Sequence, residues 1–230
     1  MSALKRIKSD TSLRDVANTL GFKPKALAYV IHGMSDEYKY HQFDIPKKTG
    51  GIRSINAPSP ELKNLQKRLS ILLQDCIDEI NKEKKIEGTL SHGFRRGYSS
   101  ITNAASHRKR RYVFNLDLND FFASINFGRV RGFFIKNRNF ELDETVATIL
   151  AQIACFKNSL PQGSPCSPVI SNLIGHALDI GLAKLAHHNS CYYSRYADDI
   201  TFSTNERIFP SAIAVTSSLG ELAGQSELSC

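Results

Sequence analysis

Cys191-Tyr192-Tyr193-Ser194-Arg195-Tyr196-Ala197-Asp198-Asp199-Ile200-Thr201-Phe202 is the stretch whose reading decides the fold. Two β-prone runs flank a short break, which predicts a hairpin with adjacent carboxylates at its tip. Neither carboxylate gains by burial unless a cation offsets the desolvation of its charge, so an apolar hairpin ending in Asp198-Asp199 points to a divalent-metal site. Asp is also a common turn former, so a solvated acidic turn is the alternative reading of this pair. The rest of the chain decides between these readings.

The chain has 230 residues, 41% of them hydrophobic, enough to bury a real core. It contains no uninterrupted run of about 18 apolar residues, and Met1 to Lys8 lacks the apolar centre of a secretory signal. A soluble cytoplasmic protein with no membrane partner is therefore expected. Cys76, Cys155, Cys166, Cys191 and Cys230 are scattered without a C-x-x-C pair, which indicates reduced thiols and neither a zinc site nor a disulfide framework. The net charge of +8 is uneven: residues 1–111 hold 22 Lys and Arg against 11 Asp and Glu, and residues 112–230 hold 8 against 11. A basic first half suits a polyanion, because Lys and Arg displace the counterions of phosphates.

Apolar spacing predicts two short helices over residues 11–33, a pattern that a DNA-reading helix-turn-helix would share with any helical hairpin. Residues 43–57 read as a β-hairpin around Gly50-Gly51 with a basic tip. Ser59 is placed to cap a helix whose stripe is Leu62, Leu65, Leu69, Leu72, Cys76 and Ile80. The loop Gly93 to Ser99 carries Arg95, Arg96 and two aromatics, and a helix is expected from Ser100. Tyr112 to Leu118 reads as a strand with one charge, Asp117. Residues 126–156 are mostly helical, Leu160 to Pro168 is a loop rich in helix breakers, and Val169 to His187 is a long apolar helix. A further helix is expected from Pro210 to Ala223.

A strand delivering Asp117 and, 81 residues later, a hairpin delivering Asp198 and Asp199 is an arrangement that can hold two Mg²⁺ ions. Two ions about 3.5 to 4 Å apart activate a hydroxyl nucleophile and stabilise in-line displacement at phosphorus. Mg²⁺ accepts few protein carboxylates and completes its shell with water and phosphate oxygens, so three carboxylates suffice.

These residues resemble the motifs of reverse transcriptases, over at least residues 40–205. Asp117 with Phe122 is similar to the first catalytic motif, Leu160-Pro161-Gln162-Gly163-Ser164-Pro165 to the substrate-pocket motif, and Tyr196-Ala197-Asp198-Asp199 to the second catalytic motif, in the family's order. The resemblance implies an α+β right-hand polymerase with fingers, and a palm whose antiparallel sheet packs on helices. It implies an N-terminal helical segment at 1–40, fingers at 41–111, and a palm at 112–230 with part of the fingers inserted at about 126–160. It implies that Asp117 and Asp198 bind both metals, that Asp199 completes the site, and that the Leu118 carbonyl contacts the nucleotide-side metal. Phe122 would lie under the sugar of an incoming dNTP and exclude a 2′-hydroxyl, with a core aromatic as the alternative. Pro161, Gln162 and Gly163 would line the nucleotide pocket, and Lys48 and Arg53 would clamp the triphosphate.

Within the family the resemblance is to bacterial retron enzymes, through Asn103-Ala104-Ala105-Ser106-His107 and Arg195 to Asp199. Asn103 and His107 stand four residues apart, so on a helix they share a face and either touch RNA, with Arg95 and Arg96, or brace the palm. Retron type implies a structured non-coding RNA as template and partner, a branched RNA-DNA product (msDNA) started from a guanosine 2′-hydroxyl, and an effector protein in phage defence. Such enzymes usually exceed 300 residues, so the resemblance places the thumb outside this chain. The alternatives are a group II intron-like or diversity-generating reverse transcriptase, or a catalytically silent RNA-binding scaffold.

Overall fold

The computed structural model describes residues 1–46 and 50–213. Lys48 and the part of the helix expected beyond residue 213 lie outside these described residues. The chain forms two compact units, Met1–Glu87 with Phe122–Ile174, and Gly88–Phe121 with Gly175–Cys230.

The first unit is built on the helix Pro60–Glu83, capped by Ser59, whose hydroxyl accepts from the Leu62 amide. Its expected stripe is all buried, joined by Leu73 and the polar Gln66. Gln66 is accommodated because its Nε2 donates to the Tyr40 hydroxyl at 2.7 Å and to the Ile153 carbonyl at 2.9 Å. One side chain thereby ties this helix to the hairpin and to the helix Glu144–Ala154. The hairpin pairs β1 (Tyr40–Pro46) with β2 (Ile52–Pro58), antiparallel, with Tyr40 opposite Pro58 and Pro46 opposite Ile52. At the N-terminus Leu13–Thr19 is followed by Pro24–Ala28, which runs into a π turn at Tyr29–Gly33.

The second unit holds a three-stranded antiparallel sheet in the order β3 (Tyr112–Asp117), β5 (Asp199–Thr204), β4 (Tyr192–Tyr196). Side chains alternate between the faces of a strand, so the registers sort them. Phe114 stands opposite Phe202, Leu116 opposite Ile200 and Tyr193 opposite Phe202. That face packs with Leu182, Leu185, Ala186 and Ile213 as the core. The other face carries Asp117, Asp199, Ser194, Thr201 and Ser203.

Ser167–His188 has the length and, over an 18-residue window, the mean hydropathy (1.3) of a membrane span. Counting uninterrupted apolar residues does not reveal this, because polar residues punctuate the helix. Leu182, Leu185 and Ala186 pack its C-terminal part against the sheet, and Asp179 within it is buried and ion-paired.

Candidate active site

The strand registers bring the three acidic residues together. Asp117 ends β3 and lies directly opposite Asp199, which begins β5. Ala197 and Asp198 form the turn between β4 and β5, with Ala197 at φ 59°. The turn is tied to the first aspartate's strand by the Leu118 amide, which donates to the Asp198 carbonyl at 3.0 Å. Leu118 packs its side chain toward the core.

Asp199 is exposed at the start of β5, and partial desolvation by its surroundings, followed by the neighbouring Asp198 and Asp117 charges, raises its carboxyl above its ordinary range. A divalent cation would offset both effects, and an all-oxygen donor set of this kind suits a hard cation. Among the described residues no three His, Cys, Asp or Glu side chains close up into a ready-made coordination sphere. The carboxylates share one end of the sheet.

The turn is braced from both sides. Backbone bonds from the His92 amide to the Arg195 carbonyl and from the Arg195 amide to the Leu90 carbonyl, both 2.8 Å, run the segment Leu90–His92 along the free edge of β4. Gly93 then meets the turn so closely that a Cβ there would stand 2.4 Å from the Ala197 nitrogen. Within β4, Arg195 is fully buried and bonded to Asp179. Arg195 opens the motif that carries the retron resemblance, and the sequence assigns no structural role to it, to Asp179 or to Gly93. The available signal was a charged residue at a core-facing strand position.

Asn103 and His107 belong to this unit too. The helix Ser100–Ser106 presents Asn103, and His107 caps its end. The Ser194 hydroxyl donates to Asn103 Oδ1 at 2.6 Å, which spends its proton. His107 Nε2–H therefore donates to Ser194 Oγ at 2.7 Å, and Nδ1 accepts from the Ser203 hydroxyl at 2.6 Å. With both ring nitrogens engaged and 7% of the residue exposed, His107 is aimed at β4 and β5. Both ring nitrogens of His107 thus meet serines of β4 and β5.

Burial, followed by the nearby Arg110 and His92 charges, lowers the His107 pKa. The unfolded chain binds a proton at His107 near pH ~6.5 while the folded chain does not, so stability contributed by the neutral ring is lost as pH falls below that value. Urea unfolding should show the protein weakening from pH 7.5 to 5.5. His107→Phe should weaken less over that interval while costing roughly 1–3 kcal/mol at pH 7.5, because the Ser203 hydroxyl loses its acceptor and Ser194 Oγ loses the donor it has beside Asn103. His92, whose pKa is lowered in the same direction by burial and then by Arg95, keeps part of the slope in the variant.

In the first unit, the loop after Leu160 is docked on β2. The Asn56 amide donates to the Gln162 carbonyl at 2.8 Å. Gly163, at φ +114°, lies so near that a Cβ would come within 2.7 Å of the Asn56 carbonyl oxygen, so both conformation and space require glycine. Pro161 is buried and its carbonyl accepts from the Ser167 hydroxyl at 2.9 Å. Arg53, three residues before Asn56, is exposed on the same strand. Phe121 is buried and Phe122 half-buried. Phe122 and Gln162 belong to the first unit and the three aspartates to the second. Arg95 donates to the Thr89 hydroxyl at 2.7 Å and lies over Tyr98, while Arg96 is exposed.

Residues 45–226 match the family described as reverse transcriptase (RNA-dependent DNA polymerase). The chain is 35% identical over 209 residues to the Retron Mx65 reverse transcriptase of Myxococcus xanthus, covering 84% of this chain and 47% of that protein. It is 31% identical over 194 residues to the Retron Ec86 reverse transcriptase of Escherichia coli, covering 84% of this chain and 57% of that one. It is 35% identical over 179 residues to the Retron Mx162 reverse transcriptase of Myxococcus xanthus, covering 71% and 35%. The chain spans about half the length of the first two of these relatives.

Proposed function

This chain belongs to the reverse transcriptase family, and on that premise we propose that it supplies the fingers and palm of a retron-type RNA-directed DNA polymerase. The observation that carries the proposal is the pairing of Asp117 with Asp199 beside the Asp198 turn. The similarity to retron enzymes supports the subtype.

In this reading Asp117 and Asp198 hold two Mg²⁺ ions, Asp199 completes the acidic site, and the Leu118 carbonyl is a further ligand. When bound, the ions activate the primer hydroxyl and neutralise charge on the departing pyrophosphate. The chain's own residues orient the reactants. Pro161, Gln162 and Gly163 present the nucleotide-facing loop, and Phe122 selects a deoxyribose by occupying the space of a 2′-hydroxyl. Arg53, with Lys48, meets the triphosphate, because a guanidinium fork matches phosphate oxygens. Arg95 and Arg96 face the template RNA. The product is a branched RNA-DNA molecule made on a structured RNA, and with an effector protein it serves phage defence. The free buried thiols suit a reducing cytoplasm, with burial pushing Cys76 and Cys166 up to about 12.

Nucleic acid co-purifying with the full-length protein tests this reading. We expect a species in which DNA stays attached to RNA through a 2′–5′ linkage, released by a debranching nuclease. Incorporation of dNTPs on RNA without a branch would remove the retron assignment and keep the polymerase. Tight RNA binding without any incorporation would remove both.

A further inference from the structure

Arg195 stands at a strand position whose side chain faces the core, where an unpaired charge is excluded. Its environment is built for it. On the helix Ser167–His188, Gly175 and Asp179 lie four residues apart and so share a face. Asp179 accepts the guanidinium with both oxygens, from Nε at 2.7 Å and from Nη2 at 2.9 Å. Gly175 leaves the room: a Cβ there would come within 3.1 Å of Nη2. The Tyr193 hydroxyl adds a third bond to Asp179, at 2.7 Å.

Two contacts look away from Asp179. Nη1 donates to the Ala197 carbonyl at 2.7 Å, so the guanidinium holds the left-handed residue immediately before Asp198. The guanidinium carbon also lies 5.3 Å from the ring centre of Phe121, four residues after Asp117. One buried cation thus touches the turn that carries Asp198 and the segment that follows Asp117.

We propose that Arg195 is a positioning residue that locks the Asp198 turn to the Asp117 segment, with Asp179 as the anchor that fixes its fork. The inference deepens the polymerase reading and rests on it for its catalytic consequence. A lysine at 195 keeps the charge but lacks the planar fork that reaches Asp179 and Ala197 together. Asp179 then keeps a counter-charge while the turn loses its tether.

The test uses the full-length protein and two variants, Arg195→Lys and the charge-neutral pair Arg195→Met with Asp179→Asn. The neutral pair removes both buried charges and leaves an acceptor for Tyr193, so folding does not depend on an orphaned ion. Amide hydrogen exchange is measured over the peptide containing residues 196–200, against the buried helix Glu144–Ala154. The proposal expects exchange in the turn to rise at least about tenfold in both variants while that helix is unchanged. It also expects the Mg²⁺ concentration giving half-maximal incorporation to rise by a similar factor, with nucleotide KM little changed. Turn exchange equal to wild type would overturn it, as would loss of protection throughout the protein. If wild type incorporates no nucleotide the polymerase reading fails, while the exchange comparison still judges the lock.

Discussion

Asp198→Asn should abolish dNTP incorporation, with a loss on the order of a thousandfold or more and the fold intact. A metal-held phosphoryl transfer site contributes several kcal/mol of charge stabilisation, and each ~1.4 kcal/mol is tenfold in rate. Asn keeps the shape and one oxygen but removes the charge that a divalent cation needs. Because Asp198 is a turn residue outside the core, the variant should melt at or above the wild-type temperature. Removing one of three neighbouring carboxylates relieves the repulsion that raises Asp199. Asp117→Asn should behave alike, since it lies opposite Asp199 in the register. Loss of activity with loss of fold would make Asp198 a structural residue.

Gly93→Ala should be a severely damaging single-methyl change. The added carbon would stand 2.4 Å from the Ala197 nitrogen and 3.2 Å from the Ala197 Cα, both backbone atoms that cannot rotate aside. Relief requires the turn to separate from the Leu90–Gly93 segment, which the backbone bonds on either side of Arg195 resist. A displacement of about 1 Å at a reacting centre costs on the order of a hundredfold in rate. Overpacking of this kind also costs roughly 1–3 kcal/mol of stability. Gly132→Ala is the matched control, because its added methyl meets nothing within 4 Å in the helix Phe127–Lys136. Steady-state incorporation and thermal melting on both variants decide the matter, and wild-type rates for Gly93→Ala would refute the contact.

Much of this architecture is legible in the sequence because local rules determine it. The Leu62 to Ile80 stripe, the Ser59 cap and the Gly50-Gly51 hairpin follow from periodicity and turn chemistry, and each stands where those rules place it. The acidic pair is legible because adjacent aspartates break an apolar hairpin. What brings Asp117 opposite Asp199 is a register between strands far apart in the chain, and only the order of motifs hints at it.

The supports of the site are hidden for a different reason. Asp179 is one acid in an apolar helix and Arg195 one base in an apolar strand, and neither suggests the other until both faces are known. His107 illustrates the same limit. Its four-residue spacing from Asn103 gives a shared face, and only the strand alternation at Ser194 and Ser203 shows what that face meets. Gly93 is a glycine required by a neighbour 104 positions away, and such proximity leaves no local trace.

The most direct test of the metal-site assignment is Mn²⁺ binding followed by electron paramagnetic resonance, on full-length wild type and on Asp198→Asn, each with primer, template and dNTP. The account predicts bound Mn²⁺ in the wild type and its loss in the variant, with primer-template affinity retained. Equal Mn²⁺ binding by both proteins would contradict it.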